Sequence, residues 1–228
     1  MITVMITGAN RGIGLELVKA YAADGAQVFA CCRRPQSAEA LRGIAAKTGG
    51  RVSIHQLNVT DPKEIAALKQ QLGSIPIDIL INNAGISDGR ETAAVDYAVW
   101  EEVLRVNTIA PYRVSTTFRA NLAAGAEKKL ATISSQMGSI AENTGGRPAY
   151  RSSKAAVNQV MKGLAGEYRG YGITVVVLHP GWVRTDMGGP QAPVSPADSA
   201  RGIKRVIAAA TLENTGKFMD YQGKALPW

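Results

Sequence analysis

The sequence has few of the residues that form disulfides or metal centres. Its 228 residues include two cysteines and two histidines. Cys31 and Cys32 are adjacent in a predicted strand, where neighbouring side chains point to opposite faces, so we expect free thiols. His55 and His179 have no Cys, Asp or Glu partner at metal-ligand spacing. We therefore predict no metal site and assign both histidines to packing or surface roles.

Long hydrophobic runs are also missing. No stretch of eighteen apolar residues occurs, so no transmembrane helix is expected. The opening residues MITVMITGAN lack a basic start and a small-residue cleavage site, which indicates a buried strand and not a signal peptide. Together with the free thiols, these features predict a cytoplasmic protein with no membrane association.

The positive charge is not concentrated in any one segment. The formal net charge is +8, yet no basic cluster is denser than Arg33-Arg34 or Lys128-Lys129, and no aromatic-rich binding motif accompanies them. Nucleic-acid binding is therefore disfavoured. A small polyanionic ligand would be attracted by the same positive field.

Seven short apolar runs alternate with helical stretches along the whole chain. The runs are rich in Val and Ile and are continuously apolar, which is typical of strands that are covered on both faces. Such alternation predicts one α/β domain over residues 1–228, a Rossmann-type doubly wound parallel sheet of about seven strands with helices on both faces. The predicted strands are 2–7, 26–32, 51–57, 77–83, 129–134, 173–179 and 216–221.

One helix start is explicit in the segment TDPKE. Asp61 is expected to cap the helix, Pro62 to occupy its first turn, and Glu64 to complete a capping box. In a sheet of this kind, ligands bind beyond the carboxyl ends of the strands, so the residues after each run are the candidates for function.

The first strand is followed by TGANRGIG, a turn that contains Gly8, Gly12 and Gly14. Glycines let the backbone turn tightly and approach a pyrophosphate, which then lies at the positive end of the next helix. No Lys-Ser/Thr pair follows, so the turn is not an ATP-binding loop. A purely structural glycine loop remains an alternative at this point.

The end of the second strand indicates which dinucleotide would bind. An NAD site usually has an acidic residue there, whereas this chain has Arg33 and Arg34, with Arg11 inside the glycine turn. Guanidinium groups suit a phosphate dianion, so NADP is favoured over NAD. The alternative is that these arginines, Arg34 above all, are ordinary solvated side chains.

The TGxxxGxG spacing resembles that of the short-chain dehydrogenase/reductase superfamily, and further motifs extend the resemblance over essentially the full chain. LNVTD, NNAG and HPGWVRT follow in the family's order, with Asn58 where most members have Asp. SSQMGSIAEN, AYRSSKAAVN and the tail GKFMDYQGKALPW resemble the C-factor/sniffer-like carbonyl reductase subgroup. The resemblance implies NADP(H) bound by Gly8, Asn10, Arg11, Gly12, Ile13, Gly14, Arg33, Asn58, Val59, Asn83, Ala84, Gly85, Tyr150, Lys154, Pro180, Gly181, Val183 and Thr185.

Tyr150 and Lys154 are candidates for proton chemistry. A spacing of four puts both side chains on one helix face, roughly 6 Å apart at Cβ. An ammonium and an oxidised nicotinamide would both favour phenolate, so we expect a lowered pKa for Tyr150. Tyr150 would then donate a proton to a carbonyl oxygen. The spacing alone also occurs by chance in exposed helix pairs.

Two adjacent serines precede this helix, and they cannot both point at the same oxygen because strand side chains alternate. In the family pattern the catalytic serine lies three residues before a glycine, and Gly138 therefore selects Ser135 over Ser134. Ser135 would hydrogen-bond the substrate oxygen. It lies fifteen residues before Tyr150, where many members have thirteen, so a longer loop is expected beside the cleft.

Asn107 is the fourth catalytic candidate. It shares a predicted helix face with Trp100, Val103 and Leu104, where a buried amide needs a partner. Pro111, four residues later, has no N–H for the Asn107 carbonyl, which leaves that oxygen available to water. The family uses an asparagine here in a proton relay to the lysine. A kinked helix with a structural asparagine is the alternative.

The segment 186–200 is rich in Gly and Pro and is expected to be a substrate loop ahead of a helix capped by Ser195. It has no Arg or Lys, which favours a neutral, apolar carbonyl substrate. The cleft walls, or alternatively the core, would include Met137, Ile140, Trp182 and Met187.

The sequence thus predicts an NADPH-dependent reductase of aldehydes or ketones that acts on small molecules. The resemblance also makes a homodimer or homotetramer possible, because family members often pair through the helices of Asn107 and Tyr150. An NADP-binding signalling or sensor protein with little turnover is the alternative function. An epimerase or dehydratase is disfavoured by the glycine spacing and by the lack of a C-terminal substrate domain.

Overall fold

A computed structural model describes residues 1–88 and 95–228 of the chain. Seven parallel strands form one sheet in the order β3-β2-β1-β4-β5-β6-β7. All seven predicted strands are confirmed, each shorter than its apolar run by one to three residues. They are β1 Thr3–Thr7, β2 Gln27–Cys32, β3 Val52–Gln56, β4 Ile79–Asn82, β5 Lys129–Ile133, β6 Thr174–His179 and β7 Lys217–Asp220.

Helices cover both faces of the sheet. Their bounds are α1 Gly12–Ala23, α2 Glu39–Lys47, α3 Pro62–Leu72, α4 Tyr97–Leu104, α5 Ala110–Thr117, α6 Arg119–Ala124, α7 Pro148–Tyr168 and α8 Pro196–Ala209. A π-helical turn, Arg105–Ile109, joins α4 to α5.

The alternation of side chains along each strand divides the core into two layers. Val4 and Ile6 of β1 pack with α1, α2 and α8 on one side, while Met5 packs with α3, α5 and α7 on the other. Cys31 and Cys32 are buried free thiols, and they lie in opposite layers for the same reason. The predicted doubly wound sheet is confirmed.

The start of α3 differs in part from the prediction. Asp61 caps the helix as expected, accepting from the Lys63 N–H at 2.8 Å. Glu64 does not close a capping box with Asp61, because the Asp61 N–H donates to the Asn58 carbonyl. Glu64 instead accepts from the Asn58 N–H at 2.5 Å and ties α3 to the segment after β3.

The order of the strands places a crevice between β1 and β4. The chain leaves β1 toward β2 and β3 on one side and then returns to β4 on the other. Ligands of doubly wound sheets bind at such a reversal, beyond the carboxyl ends of the strands. Among the described residues, no helix is long and apolar enough to cross a membrane.

Candidate active site

The glycine turn after β1 is shaped by close backbone contacts. Gly8 has a φ of +65°, and a Cβ on it would lie 2.9 Å from the Ala84 Cα. A Cβ on Gly14 would collide with the Gly8 carbonyl, and one on Gly12 would meet Thr185 at 3.2 Å. These glycines bring the ends of β1 and β4 together and bring the loop after β6 to the start of α1.

The amino end of α1 is suited to an anion. The helix has no side-chain cap and no acidic residue in its first turn, so its first N–H groups have no side-chain acceptor. Their partial positive charge favours a phosphate group. Asn10 and Arg11 are exposed beside this end, and Ile13 is partly buried against the core. The turn therefore fits the pyrophosphate that the sequence predicts.

The arginines near this turn have different surroundings. Arg11 pairs with Asp186, and both side chains are exposed; such a surface pair contributes only about 0–1 kcal/mol. Arg33 and Arg34 are also exposed, after β2. Within residues 1–88 and 95–228, neither guanidinium makes a hydrogen bond or an ion pair. Arg33 is thus available for a phosphate, as the sequence predicts.

The NNAG segment is held by a residue that the sequence analysis missed. The Thr7 hydroxyl oxygen accepts from the N–H groups of Asn83 and Ala84, both at 3.1 Å. The Asn83 amide donates to the carbonyls of Thr7 and Gly8, both at 3.0 Å. These contacts fix the ends of β1 and β4 to each other beside Gly85. The signal for Thr7 is its position as the last residue of a buried strand.

Asn58 keeps part of its amide group free of intramolecular partners. Its Oδ1 accepts from the Thr60 N–H at 3.2 Å and from the Thr60 hydroxyl at 2.9 Å. Its Nδ2 makes no hydrogen bond with the part of the chain that the structure describes. Val59 beside it is buried. The segment therefore has a side-chain N–H donor without a partner among the described residues, next to a buried apolar residue.

The segment after β6 turns back toward the glycine turn. Gly181 has a φ of +85°, and the Pro180 carbonyl accepts from the Ser199 hydroxyl at 2.7 Å. Val183 is buried and bridges to Val194. The Thr185 hydroxyl accepts from the Gly188 N–H at 3.2 Å. The predicted cofactor residues of β1, β4 and β6 thus meet at one edge of the sheet.

Ser135, Tyr150 and Lys154 lie together at this same edge. The Ser135 side chain lies close enough to Tyr150 to act on its pKa, and its hydroxyl oxygen accepts from the Met137 N–H at 3.1 Å. The Lys154 ammonium lies 5.7 Å from the centre of the Tyr150 ring and donates to the Ile133 carbonyl at 2.9 Å. Lys154 is 4% exposed. The structure therefore brings these three side chains within interaction distance.

The pKa values of this cluster differ from the sequence expectation. Burial raises the pKa of Tyr150, while the Ser135 side chain and the charge of Arg147 act to lower it, and the net shift is upward. Burial lowers the pKa of Lys154 to about 8. The expected downward shift of the Tyr150 pKa is therefore wrong for the protein groups alone, because the cost of burying a phenolate exceeds their stabilisation of it.

Ser134 has a different environment from Ser135. Its hydroxyl contacts the Asn158 Oδ1 at 2.5 Å and lies 3.5 Å from the Lys154 carbonyl. It therefore joins the end of β5 to α7. Gly138 allows this close approach, since a Cβ there would lie 2.7 Å from the Lys154 carbonyl carbon. The same glycine that singled out Ser135 in the sequence is needed sterically at the contact with α7.

Asn107 is 1% exposed, and its amide is paired on both sides. Oδ1 accepts from the Ile86 N–H at 2.9 Å, and Nδ2 donates to the Ile86 carbonyl at 2.8 Å and to the Ser153 hydroxyl at 3.0 Å. The residue lies in the π-helical turn just before Pro111. The amide thus joins the segment after NNAG to α7. It is the buried amide with partners that the sequence predicts.

Among the described residues, the two histidines contact no other metal-binding side chain. His55 contacts Ser53 at 2.8 Å and Gln71 at 3.3 Å. His179 ends β6, and its Nδ1 is buried without a hydrogen bond among the described residues. Burial lowers the pKa of His179 to about 4. Within the same residues, no group of three or more His, Cys, Asp or Glu side chains is placed to hold a metal.

The predicted substrate loop ends earlier than expected. Ser195 caps α8 by accepting from the Asp198 N–H at 3.0 Å, so residues 196–200 are helical and the loop comprises 186–195. The Trp182 indole donates to the Gly188 carbonyl at 2.7 Å, which folds the loop back. Met137 is partly buried, and the other predicted wall residues are exposed, not core: Ile140, Trp182 and Met187.

Two further features near Tyr150 were missed by sequence reasoning. Arg147 caps α7 with a left-handed backbone, φ +50°, and its guanidinium lies 5.1 Å from the centre of the Tyr150 ring. The Trp228 carbonyl accepts from the N–H groups of Ile140 and Ala141, both at 3.0 Å. A local sequence pattern could have identified Arg147, because it lies three residues before Tyr150 and directly before the proline that starts α7. No local pattern could have identified the Trp228 contact, because its partners are more than eighty residues apart in the sequence.

Comparison with known proteins adds the family. The short chain dehydrogenase family matches residues 2–194. The C-signal of Myxococcus xanthus is 46% identical over 156 residues, which cover 67% of this chain and 93% of that protein. The NADPH-bound carbonyl reductase from chicken fatty liver is 35% identical with a TM-score of 0.92, over 99% of this chain and 98% of that one.

A further structure has the same extent of similarity. The carbonyl reductase Sniffer of D. melanogaster is 31% identical with a TM-score of 0.91, and the match covers 100% of both chains. The matched length therefore extends over the segments that contain the glycine turn, the Ser135–Tyr150–Lys154 cluster and the C-terminal tail. This chain belongs to the short chain dehydrogenase family.

Proposed function

We propose that this protein is an NADP(H)-dependent oxidoreductase that reduces an aldehyde or ketone to an alcohol. The observation that carries the proposal is the cluster of Ser135, Tyr150 and Lys154 at the sheet edge that also holds the glycine turn. Two of the similar structures are named carbonyl reductases, and one of them has NADPH bound.

The cofactor assignment is supported by groups that suit its separate parts. The uncapped start of α1 suits the pyrophosphate, and Arg33 suits a further phosphate. Asn58 and Val59 suit the adenine ring, and Thr185 suits the carboxamide of the nicotinamide. When bound, NADPH supplies the hydride that the side chains of this site cannot supply.

The side chains of the site would carry out the proton transfer that accompanies hydride transfer. Tyr150 gives its hydroxyl proton to the substrate oxygen as the carbonyl carbon accepts a hydride, and it becomes a phenolate. Ser135 donates a hydrogen bond to the same developing oxygen charge. Lys154, fixed by the Ile133 carbonyl, stabilises the phenolate. The Asn107 side chain joins Ile86 to Ser153, the residue before Lys154. The Asn107 main-chain carbonyl would bind a water molecule through which a proton returns to Tyr150.

The substrate is proposed to be small, neutral and apolar near its carbonyl group. The loop 186–195 has no Lys or Arg, and its exposed Met187 lies two residues after Thr185. We further propose a homodimer or homotetramer in the cytoplasm. The exposed Tyr97, Ile109 and Tyr112 on α4, the π-helical turn and α5 are the apolar groups that such pairing would cover.

A signalling or sensor protein that binds NADP with little turnover is the second candidate. The similarity to the C-signal of Myxococcus xanthus favours it, whereas the assembled Tyr–Lys cluster favours catalysis. The discriminating experiment is a screen of aldehydes, ketones and quinones with NADPH and NADH, combined with measurement of cofactor binding. Oxidation of NADPH by one carbonyl class supports the reductase. Tight NADPH binding without oxidation across the panel supports the sensor.

A further inference from the structure

The Arg147 side chain lies beside the Ser135–Tyr150–Lys154 cluster and contacts two residues, Tyr150 and Ser87. Its guanidinium lies 5.1 Å from the centre of the Tyr150 ring, and its Nη2 donates to the Ser87 hydroxyl. Ser87 in turn donates to the Asp88 carboxylate at 3.3 Å. The side chain therefore spans from the start of α7 to the segment after β4, directly beside the proton donor.

The backbone conformation of Arg147 is one that a non-glycine residue rarely adopts, which indicates that tertiary contacts hold it. It is one of two non-glycine residues with positive φ among those described, at +50°. Such conformations are costly for residues with a Cβ, and they persist where the surroundings hold them, often at functional sites. The two preceding residues, Gly145 and Gly146, also have positive φ, +85° and +70°, but glycine adopts such a conformation without the steric penalty that Arg147 incurs.

We propose that Arg147 is a positioning residue for the reaction, whose guanidinium stabilises the phenolate that Tyr150 becomes when it donates its proton. An arginine is charged throughout the working pH range. A positive charge beside an aromatic ring is favourable with the neutral phenol and more so with the anion. This inference rests on the proposed reductase activity, which makes Tyr150 the proton donor.

Burial around the Tyr150 hydroxyl disfavours its phenolate unless a positive charge lies nearby. Its polar and charged neighbours in the described part of the chain are Ser135 from the end of β5, Lys154 from α7 and Arg147 at the cap of α7. Burial raises the pKa of the Tyr150 hydroxyl, while Ser135 and the charge of Arg147 act to lower it. The Asp88 carboxylate accepts from the Ser87 hydroxyl, which in turn contacts Arg147.

The decisive measurement is the titration of Tyr150 followed by NMR of protein labelled with carbon-13 at the tyrosine Cζ, in the presence of NADP⁺. The Tyr150 signal is assigned by its loss in Tyr150→Phe. In Arg147→Gln, we expect the Tyr150 pKa to rise by about one unit relative to the unmodified protein. Arg147→Lys should retain most of the effect, because it retains the charge.

Two further variants separate the charge from the backbone. Arg147→Gly removes the charge but suits the left-handed conformation, so it should raise the Tyr150 pKa as Arg147→Gln does without lowering the melting temperature. Arg119→Gln is the matched control. Its guanidinium lies 4.7 Å from the Tyr171 ring, on an exposed surface, and its loss should not change the Tyr150 titration.

The pH profile of alcohol oxidation provides the second readout. In Arg147→Gln its rising limb should move to higher pH by the same amount, with up to about tenfold lower rate at neutral pH. An unchanged Tyr150 titration in folded Arg147→Gln and Arg147→Gly would overturn the inference. A lack of turnover with every carbonyl compound would instead count against the proposed function, since the NMR titration does not need turnover.

Discussion

Arg33 is the single side chain on which the choice of cofactor depends. It follows β2 and has no intramolecular partner among the described residues, whereas Arg11 is paired with Asp186. A guanidinium that is already free of partners loses no internal contact when it binds a phosphate. This makes Arg33 the better candidate for selecting NADP over NAD.

We therefore expect Arg33→Asp to raise the KM for NADPH by about 10- to 100-fold, as for loss of a charge-assisted hydrogen bond. The KM for NADH should fall or stay the same. Steady-state kinetics with both cofactors checks the prediction, and Arg34→Asp is the control with the same charge change one residue later. Equal effects of the two variants would mean that the field of the surface, and not Arg33, selects the cofactor.

His179 makes stability depend on pH in acid. Its pKa in the folded protein is about 4, whereas an unfolded histidine titrates near ~6.5. The unfolded chain therefore binds a proton first as the pH falls, and stability is lost from about pH 6.5 down to about 4. Above this range the contribution of His179 is constant.

Between pH 6.5 and 4, the unfolding free energy of both proteins should fall. We expect the fall to be about 2 kcal/mol smaller in His179→Asn than in the unmodified protein. The measurement is denaturant unfolding at several pH values. His55 is present in both proteins, so its own titration cancels in the comparison. Parallel pH profiles of the two proteins would contradict the assignment.

At the scale of helices and loops, the segment between Ser135 and α7 has one short 3₁₀ turn, Gln136–Gly138, and is otherwise irregular. Gly138 packs against α7, and Arg147 starts that helix from a left-handed backbone. Between them, the N–H groups of Ile140 and Ala141 and the Ser139 hydroxyl all meet the Trp228 carbonyl. The tail thus holds the loop whose greater length was noted in the sequence.

The indole ring of Trp228 packs against two residues of the domain, Phe218 and Lys162. The indole stacks on Phe218 with centres 5.5 Å apart, and the Lys162 ammonium lies 5.6 Å from it. We expect Trp228→Ala to lower the unfolding free energy by about 1–3 kcal/mol, because a large apolar contact is lost. Amide hydrogen exchange of residues 139–141 should become faster.

The matched control is Lys224→Ala, which changes an exposed side chain of the same tail. It should leave both the exchange rates and the stability unchanged. If residues 139–141 exchange at the same rate in Trp228→Ala as in the unmodified protein, the tail does not hold this loop.

Across the full sheet, the sequence allowed the architecture to be predicted because both faces of the five central strands are buried. Runs such as ITVMIT and ITVVVLH are continuously apolar for that reason, and the structure has β1 and β6 there. The glycine turn and the Tyr150–Lys154 pair were also predictable, because each depends on spacing within a single segment.

What could not be predicted depends on contacts between distant segments. The guanidinium of Arg147 is placed by Ser87, and the loop after Ser135 is placed by Trp228. The predicted lowering of the Tyr150 pKa included the charge of an oxidised nicotinamide. For the protein groups alone the pKa is raised, because the depth of burial is set by the whole fold. Glu64 likewise bonds the N–H of Asn58 and not that of Asp61, and no local pattern distinguishes the two.

The central claim is that the assembled edge of the sheet performs proton transfer through Tyr150. The most direct test is NADPH oxidation by Tyr150→Phe with the best carbonyl substrate of the screen, together with the Kd for NADPH. We predict that turnover falls by about 10²- to 10⁴-fold, as for loss of a general acid, while the Kd stays within about threefold of the original value. Unchanged turnover in a folded, NADPH-binding Tyr150→Phe protein would contradict the account.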